Sequence, residues 1–202
     1  MAGFRKCMAV WILILGCMGC KNPFSTRKPE PPETAQSQWV PAHSPDQVLL
    51  NMQNAIAERN VENYIRCLAD SGNTGRVFRF DPDLEVANQF PGMFTRWNLE
   101  KEEKVFRQLC ALVPKDSVFS LSWEEIQQEL TTPDTAVFVR RYRMEIHTPQ
   151  DRFSLPKVYQ GIGEFRLIEN PQGEWVIYRW IDNGVSGSKS WSYLKASFGE
   201  AL

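Results

Sequence analysis

Helical stripes of apolar residues fill the first half of this chain, and alternating or continuous apolar runs fill the second. The densest run, Lys157–Asp182, reads as one long β-hairpin. Its first arm carries Val158, Tyr159, Ile162, Phe165, Leu167 and Ile168, and its second Trp175, Val176, Ile177, Tyr178, Trp180 and Ile181. β-Branched and aromatic side chains at this density suit a pleated, buried surface. Asn170-Pro171-Gln172-Gly173 supplies the turn, with proline fixing φ and glycine free to take positive φ. Both arms are apolar on both faces, which predicts a hairpin inside the sheet with something packed on each side. Gly161 and Gly163 predict a bulge or bend in the first arm, and hence a strongly curved sheet.

Upstream, Thr135–His147 alternates strictly. One face carries Ala136, Phe138, Arg140, Tyr142, Met144 and Ile146, and the other Val137, Val139, Arg141, Arg143, Glu145 and His147. Ser117–Leu130 sets Phe119, Leu121 and Trp123 against Ser120 and Ser122, and Val77–Phe80 reads as a short strand ended by Asp81-Pro82. The helices come earlier. Ser44-Pro45-Asp46-Gln47 predicts a capping box and a helix start, followed by the stripe Val48, Leu49, Met52, Ala55 and Ile56. Asn60 caps a short second helix with Val61, Tyr64, Ile65 and Leu68 on one face. Asn98 caps a third, Leu99–Leu112, whose apolar side is Val105, Phe106, Leu109, Cys110 and Leu112. Leu84–Arg96 reads as a lid-like loop with Phe90 and Phe94 exposed, and Ser190–Lys195 as a short closing helix or docking turn. The fold class is therefore α+β: three helices on a strongly curved, mostly antiparallel sheet.

The N-terminus is organised differently. Phe4-Arg5-Lys6 is a short basic leader, and Met8–Leu15 is an apolar run too short for the ~20 residues of a bilayer span. It ends in Gly16-Cys17-Met18-Gly19-Cys20. This arrangement resembles the bacterial lipoprotein signal, in which a Leu-x-Gly-Cys box precedes a cysteine that is acylated and becomes the first mature residue. Ile14-Leu15-Gly16-Cys17 fits that box with Ile for Leu, and Cys20 is the alternative acceptor. The resemblance implies residues 1–16 as signal peptide, a palmitate-type lipid on Cys17, and export to a bacterial cell-envelope membrane, on its periplasmic or outer-surface face. Residues 17–43 follow as lipidated N-terminus and tether. Six of the chain's thirteen prolines fall within Lys21–Pro45, and such a segment buries too little apolar surface to order itself. Within it, Trp39-Val40 is an apolar exception that could dock on the domain.

Residues 44–202 then form one domain. Its order of elements, with Ala57-Glu58-Arg59-Asn60-Val61-Glu62-Asn63-Tyr64 at the first inter-helix turn and Gln172-Gly173-Glu174-Trp175-Val176-Ile177 in the last hairpin, resembles the nuclear transport factor 2-like superfamily. That superfamily includes ketosteroid-isomerase-like and SnoaL-like domains. The resemblance implies a cystatin-like cone, with helices covering a curved sheet and a pocket between them. It does not imply one chemistry, because functions on this fold run from isomerase and dehydratase to purely structural roles.

Composition narrows the partners. A net charge of −1 lacks the basic excess of a nucleic-acid footprint. No Cys/His spacing points to zinc, and no cofactor motif is present. Cys67 and Cys110 fall on apolar helix faces, as buried free thiols or as a disulfide that spacing leaves open. Strand alternation puts Arg140 on an apolar face between Phe138 and Tyr142, where an unpaired charge is costly. Glu164 on the neighbouring strand is the candidate partner for a structural ion pair; the alternatives are an anionic ligand and a bulge that returns Arg140 to solvent. Arg140, Tyr142, Glu164 and Trp180 are therefore the pocket candidates, while Trp97, Trp123, Trp175, Trp180 and Trp191 as a set read as core more than as a ligand box. His147 lies on the polar face at a strand end, and Asp182 either ends its strand or starts the following turn.

No Asp/Glu/His–Tyr constellation falls on facing strands in this reading, so no catalytic residue is assigned. The expectation is an envelope-anchored lipoprotein with a non-catalytic ligand-binding or protein-interaction domain, bound to the membrane through its lipid and open to a small apolar or anionic ligand. One alternative is a small cone-pocket enzyme working by isomerase- or dehydratase-type proton transfer. Another is a structural envelope assembly subunit, dimerising through its sheet face.

Overall fold

The computed structural model describes residues 37–125, 130–148 and 155–199. The signal segment, Cys17, Cys20 and the tether as far as residue 36 lie outside the described residues.

The chain order is α1 (Pro45–Glu58), α2 (Val61–Arg66), α3 (Ser71–Thr74), β1 (Arg79–Asp81), α4 (Leu84–Gln89), α5 (Leu99–Leu112), β2 (Phe119–Glu125), β3 (Leu130–Thr131), β4 (Thr135–Ile146), β5 (Val158–Glu169), β6 (Trp175–Gly184) and α6 (Trp191–Gly199). Asparagine caps start two of the expected helices: Asn60 accepts from Asn63 N, and Asn98 from Lys101 N. Ser44 sits at the start of α1 but its side chain makes no capping bond; Gln47 donates to Asn51 Oδ1 instead, so the expected capping box does not form. The segment read as a lid begins with a helix, α4, because Asp83 accepts from Val86 N. Phe90 and Phe94 are half-buried, and Phe94 packs on the core.

The strands form one sheet in the order β1-β6-β5-β4-β2, with β3 on the outer part of β4. β1 runs parallel to β6 and the other pairs are antiparallel. The hairpin β5–β6 therefore occupies inner positions, as its composition predicts. Only the start of β6, Trp175–Ile177, is buried on both faces, however. Along β5, Tyr159, Gly161, Gly163, Phe165 and Leu167 are buried, while Val158, Gln160, Ile162, Glu164, Arg166 and Ile168 form a half-exposed row. β4 shows the same one-sided burial, with Ala136 through Ile146 alternating inward.

The bend also has another origin than expected. The register slips between Arg166 and Leu167, which pair with Arg179 and Ile177, so Tyr178 is the extra residue of the bulge. Gly161 and Gly163 are instead sites of close approach. A Cβ on Gly161 would overlap the Tyr142 hydroxyl, and one on Gly163 would lie 2.7 Å from the Phe165 ring.

The folded unit starts at Ser37, seven residues ahead of the expected boundary at Ser44. Residues 37–43 are bonded down along their length. Ser37 Oγ and Gln38 N donate to the Glu58 carboxylate, Asn51 exchanges two bonds with the Val40 backbone, and Trp175 N donates to Ala42 O. Trp39 packs against the core, with the Arg66 guanidinium 4.1 Å from its ring centroid. Trp39-Val40 is thus part of the domain, because an indole and a buried Ala42 outweigh the polar composition around them.

Candidate functional site

The inward faces of β4, β5 and β6, the helix α5 and the strand β1 enclose an interior that α6 enters. Two polar groups of residues lie there among aromatic rings.

The first is centred on Asp182, 1 % exposed near the end of β6. Its Oδ1 accepts from the Tyr142 hydroxyl at 2.7 Å, and its Oδ2 accepts from Ser192 N at 2.7 Å and Ser192 Oγ at 2.5 Å. The Tyr142 oxygen in turn accepts from Trp191 N at 2.7 Å. Asp182 and Tyr142 therefore hold the first backbone N–H groups of α6, where negative charge is favoured. The helix is tied outward as well, since Asp83 N donates to Ser192 Oγ and Asp83 Oδ2 accepts from Gly184 N. Burial raises the Asp182 pKa from its ordinary value, and the bonds from Ser192 and Tyr142 and the charge of Lys195 act against that rise. Tyr142 is pushed up by burial and by the neighbouring Asp182 carboxylate.

The second group is centred on Glu102 of α5. Its Oε2 accepts from Lys195 Nζ at 2.7 Å and Trp97 Nε1 at 2.6 Å, and its Oε1 from the Tyr64 hydroxyl at 2.6 Å. Glu102 and Lys195 are each 1 % exposed. Rings surround the ammonium: Phe80 lies 3.5 Å from Nζ to its centroid, Trp180 4.2 Å, Trp97 5.7 Å and Trp191 6.0 Å. Burial lowers the Lys195 pKa, opposed by the charge and hydrogen bond of Glu102 and by Asp182.

An Asp–Tyr pair next to a Lys–Glu pair has the residue types of acid/base chemistry. Here both oxygens of Asp182 and both of Glu102 already bear protein donors. Clefts of about 420, 340 and 220 Å³ open on the outside, and none is lined by Asp182, Tyr142, Glu102 or Lys195. The buried Trp180 ring beside the two groups packs on Phe80, Phe165 and Trp191.

Of the four pocket candidates, the structure brings Tyr142 and Trp180 into this interior. Arg140 is 6 % exposed, but it faces Asp46 of α1 at 3.6 Å and lies over the Phe138 ring. The expected Arg140–Glu164 pair does not form. Arg140 pairs in register with Gly163, and Glu164 with Val139, so the two side chains leave opposite faces of the sheet. Glu164 bonds Arg166 at 2.7 Å on the half-exposed side. His147 is half-buried beside Glu145. Cys67 and Cys110 are free thiols, with burial pushing Cys67 up and Cys110 to about 11.

Glu102, Lys195 and Ser192 escaped the sequence reading, although a signal existed. Glu102 precedes Val105 and Phe106 by three and four residues, on the apolar stripe of α5, and Lys195 follows Trp191 by four on that of α6.

No family sequence model matches the chain, and neither does the sequence of any curated protein. Solved structures do. A protein from Kribbella flavida is 10% identical with a TM-score of 0.54, over 74% of this chain and 93% of its own. A Novosphingobium aromaticivorans protein provisionally named an aromatic ring hydroxylase is 9% identical with a TM-score of 0.53, over 74% and 92%. A nuclear transport factor 2-like superfamily protein from Salmonella enterica serovar Typhimurium is 8% identical with a TM-score of 0.50, over 69% and 87%. The chain has the nuclear transport factor 2-like cone fold, α+β with helices on a mostly antiparallel sheet.

Proposed function

We propose that this chain is an exported lipoprotein, anchored to a bacterial envelope membrane through Cys17, with Cys20 as the alternative acceptor, and that its cone domain works by binding and not by catalysis. One observation carries the second half of this reading. The groups best suited to acid/base work, Asp182, Tyr142, Glu102 and Lys195, are spent on holding α6 inside the cone. A general base must reach a substrate proton within hydrogen-bond distance, and Asp182 is sealed behind Trp191 and Ser192. The enzyme reading would require α6 to leave. The half-exposed sheet row with Val139, Ile162 and Ile181 among charged neighbours supports homodimer assembly as a second reading.

The anchor is tested by intact-mass analysis of protein extracted from envelopes. Wild type should carry the added mass of the lipid, and Cys17→Ser should not. Normal lipidation of that variant moves the acceptor to Cys20, and unlipidated wild type overturns the anchor. The binding reading is tested by turnover assays on small ketones and hydroxy acids with wild type and Asp182→Asn. Turnover by wild type that the variant lacks overturns it.

A further inference from the structure

The Lys195 ammonium sits as a bound cation would sit. Three of its four rings, Phe80, Trp97 and Trp180, and its carboxylate partner Glu102 belong to other elements of the domain; of the rings, only Trp191 shares α6 with it. Aromatic faces with a carboxylate are the general recipe for recognising an organic ammonium ion. Keeping a lysine in such a place is otherwise a poor way to stabilise a core. A buried ion pair often gains nothing over apolar residues of similar volume.

Two further features bear on access. Lys195 is the middle residue of the nine-residue helix, so a ligand reaches its place only if the helix end after it opens and Ala196 and Phe198 leave the core. Trp191 and Ser192 are separately fastened to Tyr142 and Asp182 and can stay when that end opens. The 340 Å³ cleft lined by Met93, Trp97, Asn98, Glu100, Lys101, Lys104 and Gly199 lies against that end of α6. Trp97 is common to the cleft and to the ammonium cage, and Gly199 is the last residue of the helix.

We infer that the cone interior is a binding site for a primary organic ammonium ion, filled in this state by Lys195, and that a ligand amine enters from the Met93–Gly199 cleft when the last turn of α6 opens. The inference rests on the reading of the domain as a binding module, and it replaces the apolar or anionic ligand expected from sequence with a cationic one. Lys195 acts as a tethered competitor. Its effective concentration, of order mM or above, sets the level a free amine must exceed.

Lys195→Ala deletes the atoms of n-propylammonium, which is therefore the probe. The variant's melting temperature should rise saturably with n-propylammonium chloride, at half-saturating concentrations about tenfold lower than for 1-propanol. Tetramethylammonium, which has no N–H for Glu102, should act more weakly than n-propylammonium. In wild type, n-propylammonium at higher concentration should speed hydrogen exchange of the Ala196–Gly199 amides while those of Trp191 and Ser192 stay protected. Equal response to 1-propanol would show only an apolar cavity and overturn the site. Unchanged exchange in wild type would overturn the entry of a ligand. Should Lys195→Ala not fold alone, refolding on addition of n-propylammonium supports the site. Failure to refold with it, while Lys195→Ala/Glu102→Gln folds, overturns the site. None of these outcomes touches the non-catalytic reading, which stands or falls on turnover.

Discussion

The Tyr142 hydroxyl reaches Asp182 Oδ1 at 2.7 Å across an intervening strand, and it does so over Gly161. Gly161 pairs with Tyr142 on one side and Gly184 on the other, and a side chain there would occupy the place of the hydroxyl. Three strands are thus joined at their inner surface by a bond that only a glycine permits. Tyr142→Phe removes the donor to Asp182 and the acceptor for Trp191 N, and should cost about 1–3 kcal/mol. Gly161→Ala should cost about 1–3 kcal/mol by overpacking, and less when Tyr142→Phe has already cleared the oxygen. Thermal melts of the two variants and their double complete the cycle, and strict additivity would contradict the geometry.

Acid titration should isolate Asp182. Its folded pKa is raised by burial, so it contributes stability that is fully present below the unfolded value of about 3.9 and is lost as pH rises through the folded value. The wild-type advantage in melting temperature over Asp182→Asn should therefore shrink as pH rises above about 3.9. The variant itself should be less stable than wild type, because an amide turns a donor toward Ser192 N where a carboxylate accepted. An advantage that widens across that window would mean the folded pKa is depressed.

Arg140 and Glu164 should be energetically independent. Each single change to alanine has its own cost, but the double-mutant coupling should fall within about 0.3–0.5 kcal/mol of zero, as for sites without shared partners. A coupling of a kcal/mol or more would place both side chains on one face.

Chains beginning at Ser37 and at Ser44 should differ in stability. The shorter one loses buried Ala42, the Trp39 packing and the bonds to Asn51, Glu58 and Trp175. The loss should be at least about 2 kcal/mol, which for a domain of this size is about 4–8 °C in melting temperature. Equal melting temperatures would show that the docked segment adds nothing.

Much of this fold is legible in the sequence, and the interior is not, for a physical reason. Strand alternation in Thr135–His147 assigns every inward residue of β4 correctly, Arg140 included, because a period of two leaves no freedom. The same rule cannot say which residue on the next strand stands opposite, and the register sets Gly163 there and turns Glu164 away. Charged residues on helices are harder still. Leu99-Glu100-Lys101-Glu102-Glu103-Lys104 looks like a solvated face, yet Glu102 is buried, because Tyr64 and Lys195 come to it from two distant segments and Trp97 folds back from five residues upstream. Such a centre exists only once the chain has closed, and the sequence marks it by no more than the places of Glu102 and Lys195 on the apolar stripes of their helices.

The docked segment ahead of α1 also decides how the domain meets a mechanical load. A tug from upstream of Ser37 is borne first by Ser37 and Gln38 on Glu58, then by Val40 on Asn51, then by Ala42 on Trp175. Those grips lie on α1 and the start of β6, away from Lys195 and Glu102. Ser37–His43 thus serves as a strain relief, taking up a pull in its own hydrogen bonds before it can disturb the pairing at the centre of the cone.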